Sequence, residues 1–218
     1  MIATKNTSPL DDRLTYLFLA DIDYLSARLL ILHGLVSTGL PKASEAFEKL
    51  IKLFIILAVR IRSQKELTEK QLKKHFGHSL PKLFAELKRF APVTFNADWD
   101  AFIEHLGDCY ALRYPDGWRE PFHVKASIDH IDECYCYLRN GIILSLPPEE
   151  LDTARVFGGI VFQGTVHIGQ SNPMIDTRPT WPLDEILKQS NRSFSDFNIK
   201  HDELCRGRPF PITPNTAP

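Results

Sequence analysis

Residues 14–36 read LTYLFLADIDYLSARLLILHGLV, and within them Leu14, Phe18, Ile22, Leu25, Leu29, Leu32 and Val36 recur at spacings of three and four. Side chains spaced in this way share one face of an α-helix, so the stretch predicts a long amphipathic helix ending near Gly39. Pro41 suits the first turn of a second helix, with Ala43, Phe47, Leu50, Phe54, Leu57 and Ile61 on its buried face. The two are expected to pair as an antiparallel hairpin. Further along, Thr68-Glu69-Lys70-Gln71 fits a capping box and Gly77 the residue just past a helix end. A helix of about two turns is therefore expected between them. His78 or Ser79 opens the next helix through Leu80, Leu83, Phe84 and Leu87, and Asn96 or Asp98 caps another carrying Phe102, Ile103, Leu106 and Tyr110. A last long helix is predicted from about Val124 to Leu146, with Ile128, Ile131, Tyr135, Leu138 and Ile142 facing inward. The fold class is mainly α.

The pattern changes at Pro147-Pro148, a pair that cannot continue a helix. Nine of the 15 prolines lie beyond Leu146. Residues 156–168, VFGGIVFQGTVHI, combine β-branched residues and Phe with interposed Gly and predict a short β-hairpin. A short helix is expected at 182–189, and a mobile tail at 206–218, RGRPFPITPNTAP. The expected organisation is thus a helical domain at 11–146, a β-rich extension with a short helix at 147–205, and the tail. No internal repeat is evident.

The 218 residues carry 26 Lys plus Arg against 27 Asp plus Glu, so the whole chain is not a polycation. The charge is unevenly placed, however: residues 1–90 are net +6, 91–146 net −5 and 147–218 net −2. The basic excess concentrates at 60–89, where nine Lys and Arg face Glu66, Glu69 and Glu86. Such a stretch either attracts a phosphate backbone or is a solvated face complemented by the acidic region 98–133. Residues 1–13 lack the apolar core of a signal peptide, and no apolar run approaches the ~20 residues needed to span a bilayer. A soluble, cytoplasmic protein with no membrane association is expected. Cys109, Cys134, Cys136 and Cys205 contain no CxxC pair and are expected as ordinary reduced thiols.

Three short pieces, ASEAFEKLIK at 43–52, GHSL at 77–80 and ALRYPDG at 111–117, stand in that order before the last long helix. Together they resemble the HEPN domain, the "higher eukaryote and prokaryote nucleotide-binding" helical bundle, over residues 11–146. The resemblance implies an up-down bundle of four to five helices, commonly a homodimer. It implies binding of a nucleotide or RNA, in company with a minimal nucleotidyltransferase, an antitoxin-like protein or another defence-system partner. In some branches it implies metal-independent endoribonuclease activity of toxin type. The remaining alternative is a non-catalytic, architectural dimerisation bundle. No cofactor and no metal is implied.

Each piece also has a reading of its own. Glu45 with Lys49, and Glu48 with Lys52, are i,i+4 pairs in the favourable order, worth about 0.2–0.5 kcal/mol each. They form either a salt-bridged solvent face or a pair of lysines beside a bound phosphate. His78 is either a hydrogen-bonded residue at a helix start or a base, and Ser79 stands where the family pattern commonly has Asp, keeping the cap and losing a charge. Tyr114-Pro115-Asp116-Gly117 has the residues of a type I turn. Arg113, a planar five-donor group, suits a phosphate or a carboxylate, with Asp116 as its expected internal partner.

The ribonuclease branches carry Arg, four to six residues, then His near the start of the last helix. There an imidazole takes the 2′-OH proton and the guanidinium stabilises charge developing on the phosphate. Here Arg119 and His123 have only three residues between them, interrupted by Pro121. They are nevertheless the catalytic pair the resemblance would assign. Arg113, Asp116, Lys49, Lys52 and His78 are the candidate nucleotide- or phosphate-binding residues.

Overall fold

The computed structural model describes residues 9–91, 95–118, 124 and 126–146. Among them run α1 (Pro9–Leu32), α2 (Val36–Ser63), α3 (Glu69–Phe76), α4 (Leu80–Phe90), α5 (Asp98–Cys109), 3-10 turns at Tyr110–Arg113 and Pro115–Trp118, and α6 (Ile128–Ser145). This is a helical bundle. The β-hairpin expected at 156–168, the helix at 182–189 and the tail at 206–218 lie outside the described residues. No helix among the described residues is long and apolar enough to cross a membrane.

The bundle is organised around α2, which packs against every other described α-helix and against the first 3-10 turn. Its buried positions run right round the helix, with Ile51, Lys52, Leu53, Phe54 and Ile55 buried in succession. A helix apolar on most sides belongs at the centre of a core. The expected inner face of Ala43, Phe47, Leu50, Phe54 and Leu57 is fully buried, and Ile61 packs partly exposed against the core.

The α1–α2 hairpin turns earlier than its sequence suggests. The helix stops at Leu32, not near Gly39, because Gly34 takes the left-handed backbone (φ 80°). Leu35 N–H then donates to Leu30 O at 2.8 Å and Gly34 N–H to Ile31 O at 3.0 Å. These are the two bonds of a Schellman stop. Gly39 instead lies inside α2, where a Cβ would sit 2.6 Å from Ile31 Cγ1 and 3.0 Å from Ala27 O. Its missing side chain lets the two backbones approach. Pro41 is consequently deeper in α2 than its first turn.

The face that α1 buries also differs from the apolar stripe. Leu29 is exposed and Phe18, Ile22 and Leu32 only partly covered, whereas Leu17, Ala20, Asp21, Tyr24, Ala27 and Arg28 are buried. Two of those buried side chains are charged, which is why hydrophobic spacing passed over them.

The remaining helices are defined by local chemistry. At α3 the capping box is complete: Thr68 Oγ1 accepts from Gln71 N–H at 3.3 Å and Gln71 Oε1 from Thr68 N–H at 2.8 Å. Gly77 (φ 59°) ends the helix, and Leu72 is its buried residue. Ser79 occupies the cap position of α4 but its hydroxyl makes no capping bond, and Pro81 stands in the first turn. Ala97 precedes α5, with Asn96 Oδ1 accepting from Asp98 N–H at 3.1 Å. Helix α6 begins at Ile128 and not near Val124, because Ser127 Oγ accepts from His130 N–H at 3.2 Å and fixes the start there.

Candidate functional site

Glu45, Glu48, Lys49 and Lys52 follow one another at i, i+3, i+4 and i+7 on α2, along one side of the helix. Glu48 and Lys52 pair with each other, whereas Glu45 and Lys49 do not. Lys49 turns away from Glu45 to pair with Asp23 of α1. Lys52, 2% exposed, holds Glu48 Oε1 at 2.7 Å and lies 3.7 Å from Glu69 of α3. Glu69 in turn accepts a hydrogen bond from the Tyr16 hydroxyl; burial first, and then that bond, push this tyrosine's pKa up. Glu45 takes Lys42 at 2.7 Å and Arg113 Nη1 at 2.7 Å.

The two carboxylates of α2 thereby fix two groups from elsewhere in the chain. His78, in the turn between α3 and α4, places Nδ1 2.9 Å from both oxygens of Glu48. An imidazole there must donate from Nδ1, since an ionised carboxylate only accepts. The His78 ring stacks on Tyr110, with centroids 5.5 Å apart and planes at 14°. On Tyr110 also lies the Arg113 guanidinium, 4.8 Å from the ring centroid, and the same guanidinium is 5.9 Å from the centroid of Tyr114. His78, Tyr110, Arg113 and Tyr114 thus form a ladder of planar groups. Burial raises the Tyr110 hydroxyl pKa while Arg113 opposes the rise. The ladder is open to solvent: His78 is 47% exposed, Arg113 38% and Tyr114 54%.

The loop that delivers Arg113 is tight. Tyr114 N–H donates to Ala111 O and Gly117 N–H to Tyr114 O, each at 3.0 Å. A Cβ on Gly117 would stand 2.1 Å from Ala111 O. Only glycine fits where the second 3-10 turn folds back on the first.

The structure therefore brings Arg113, His78 and, beneath them, Lys52 to one side of α2, with Lys49 on the same side but drawn to Asp23 of α1. Arg113 is paired with Glu45, where the turn's own Asp116 was the expected partner; a carboxylate far away in sequence won because α2 presents it directly under the loop. Asp116 is exposed. Arg119 and His123, the pair the ribonuclease pattern would assign, lie outside the described residues. Among the described residues no three His, Cys, Asp or Glu side chains come together to hold a metal ion.

Sequence reasoning missed one feature altogether. Asp21, Tyr24 and Arg28 of α1 are spaced as Asp132, Tyr135 and Arg139 of α6, so D-x-x-Y-x-x-x-R occurs twice. The two copies meet head to tail. Arg139 Nε lies 2.9 Å from Asp21 Oδ1, and Arg28 pairs with Asp132. Tyr24 donates to Asp132 at 2.7 Å and Tyr135 to Asp21 at 2.8 Å. Between them the two rings stack at 4.0 Å with planes 3° apart. All six side chains are buried. Desolvation pushes both aspartate pKa values up, and the arginines and tyrosine hydroxyls pull them back. The network clamps α1 to α6 from within. A search for three identities at spacings three and four would have found it.

No protein family, no curated protein and no solved structure matches the chain.

Proposed function

We propose that the protein binds a nucleotide or RNA on the His78–Tyr110–Arg113–Tyr114 ladder. The observation that carries this reading is an arginine held over two tyrosine rings while still open to solvent. Aromatic rings and guanidinium planes are what unstacked bases lie on, and a base–aromatic stack is worth about 1–3 kcal/mol by alanine substitution. One edge of the Arg113 fork is committed to Glu45, and the donors remaining suit a phosphate. The site is otherwise charge-balanced, with Lys42, Lys49 and Lys52 neutralised by Glu45, Asp23 and Glu48. Recognition at the ladder itself therefore rests on stacking and one directed cation, and not on a diffuse positive field.

Titration with AMP tests this. Arg113→Ala removes the phosphate donors while Glu45 keeps Lys42, so binding should fall with the melting temperature nearly unchanged. A lost melting temperature with unaltered binding would make Arg113 a structural ion pair and refute the reading.

A further inference from the structure

The described residues contain nine lysines, and their partners divide them into two groups. Lys42, Lys49, Lys52 and Lys88 each pair with a carboxylate. Lys65, Lys70, Lys73, Lys74 and Lys82 are exposed and pair with none among the described residues. All five fall within residues 65–82, on α3 and the segments either side of it. Lys70, Lys73 and Lys74 share one face of α3 at i, i+3 and i+4. The helix dipole accounts for Lys73 and Lys74, in the last turn, but opposes Lys70 in the first. The carboxylate nearest in sequence, Glu69, is already engaged by Lys52 and Tyr16. Helix α3 buries Leu72 and little else, so nearly all of it faces solvent. It ends two residues before His78, the first rung of the ladder.

We propose that α3 is a phosphate-tracking helix, and that the ligand is a single-stranded polynucleotide whose backbone runs along Lys70, Lys73 and Lys74 from bases stacked on the ladder. The inference rests on the ladder's being a base-binding surface, and adds to it that the ligand extends beyond one nucleotide. Stacking rings that follow two residues after a lysine-lined helix supply the two parts, aromatic faces and a basic track, that bind single strands without sequence preference. A partner protein would be served poorly by this face, since the centres of protein interfaces are depleted of lysine.

The test compares a fluorescein-labelled 12-nucleotide single-stranded RNA with AMP on the full chain. Single-strand affinity falls with salt at a logarithmic slope of about −0.7 per neutralised phosphate. With three lysines and Arg113 engaged, affinity for the 12-mer should drop about 50-fold from 50 to 200 mM salt. In the triple variant Lys70→Ala, Lys73→Ala, Lys74→Ala the drop should be only about 3-fold, with AMP binding unchanged. The three side chains are exposed, and an unchanged circular dichroism spectrum checks the fold. A triple variant with the wild-type slope, or RNA bound no more tightly than AMP, overturns the inference. Equal competition by polyglutamate of matched charge overturns the polynucleotide as occupant. If AMP fails to bind while the 12-mer binds with an α3-dependent slope, the track stands and the mononucleotide reading of the ladder falls.

Discussion

Replacing Asp132 by Asn keeps the shape of the side chain and removes the charge that balances Arg28, which is wholly buried. Removing one partner of a buried ion pair typically costs about 3–5 kcal/mol, because the other charge stays desolvated. The lower end is expected here. The introduced amide would retain an acceptor for the Tyr24 hydroxyl, and burial already raises the Asp132 pKa, so part of the carboxylate's gain is offset in the native protein. A loss of about 3 kcal/mol is a large share of the ~5–15 kcal/mol of a typical domain. With a urea m-value of about 1–3 kcal/mol/M it moves the midpoint by one or more molar units. Because the D-x-x-Y-x-x-x-R copies are related head to tail, Asp21→Asn should cost the same within about 1 kcal/mol. Urea unfolding of the full chain, followed by circular dichroism, measures both. A loss below about 1 kcal/mol in either variant would refute the claim that the two buried pairs clamp α1 to α6.

Alkaline pH should destabilise the fold before it affects much else. Burial holds Tyr24 and Tyr135 protonated well above the ordinary tyrosine pKa. The unfolded chain therefore releases these protons first, and stability present below pH 10 is lost as pH rises toward the folded values. At pH 11 the two tyrosines should account for about 3 kcal/mol of lost unfolding free energy; pH-independent stability up to pH 11 would contradict their burial. Cys109, its pKa pushed up to about 12 by burial, and the buried Cys134 and Cys136 should resist a thiol-disulfide reagent at pH 8 in a Cys205→Ser background and react on denaturation. Rapid native labelling of any of the three would count against the packing. Gly117→Ala forces a Cβ against the Ala111 carbonyl and should cost about 1–3 kcal/mol while weakening nucleotide binding. Unchanged affinity would show that the loop does not set the ladder.

How much of this was legible in the sequence depended on how far apart the partners lie. The α3 capping box and the Glu48–Lys52 pair could be read directly, since both ends of each interaction fall within four residues. The end of α1 was misplaced because two glycines, Gly34 and Gly39, competed for one role, and only the fold shows that one serves backbone conformation and the other close approach. The ladder was half legible: Arg113 and His78 stood out by residue type, but Glu45, which places Arg113, read as a partner of Lys49, and Tyr110, on which both groups rest, read as one more residue on the face of its helix. The α1–α6 network was hidden for a different reason. Hydrophobic spacing assigns Asp21 and Arg28 to solvent, and they become core residues only when a second copy of the same spacing on α6 supplies their counter-charges.

If the ladder is a ligand surface and not surplus packing, Tyr114 must contribute to binding and not to stability. Calorimetric titration of the 12-nucleotide RNA into wild type and Tyr114→Ala tests it most directly, since Tyr114 is 54% exposed and its loss should leave the fold intact. Losing one base stack predicts an affinity about 5- to 150-fold weaker at an unchanged melting temperature. Equal affinity in the two proteins would contradict the account.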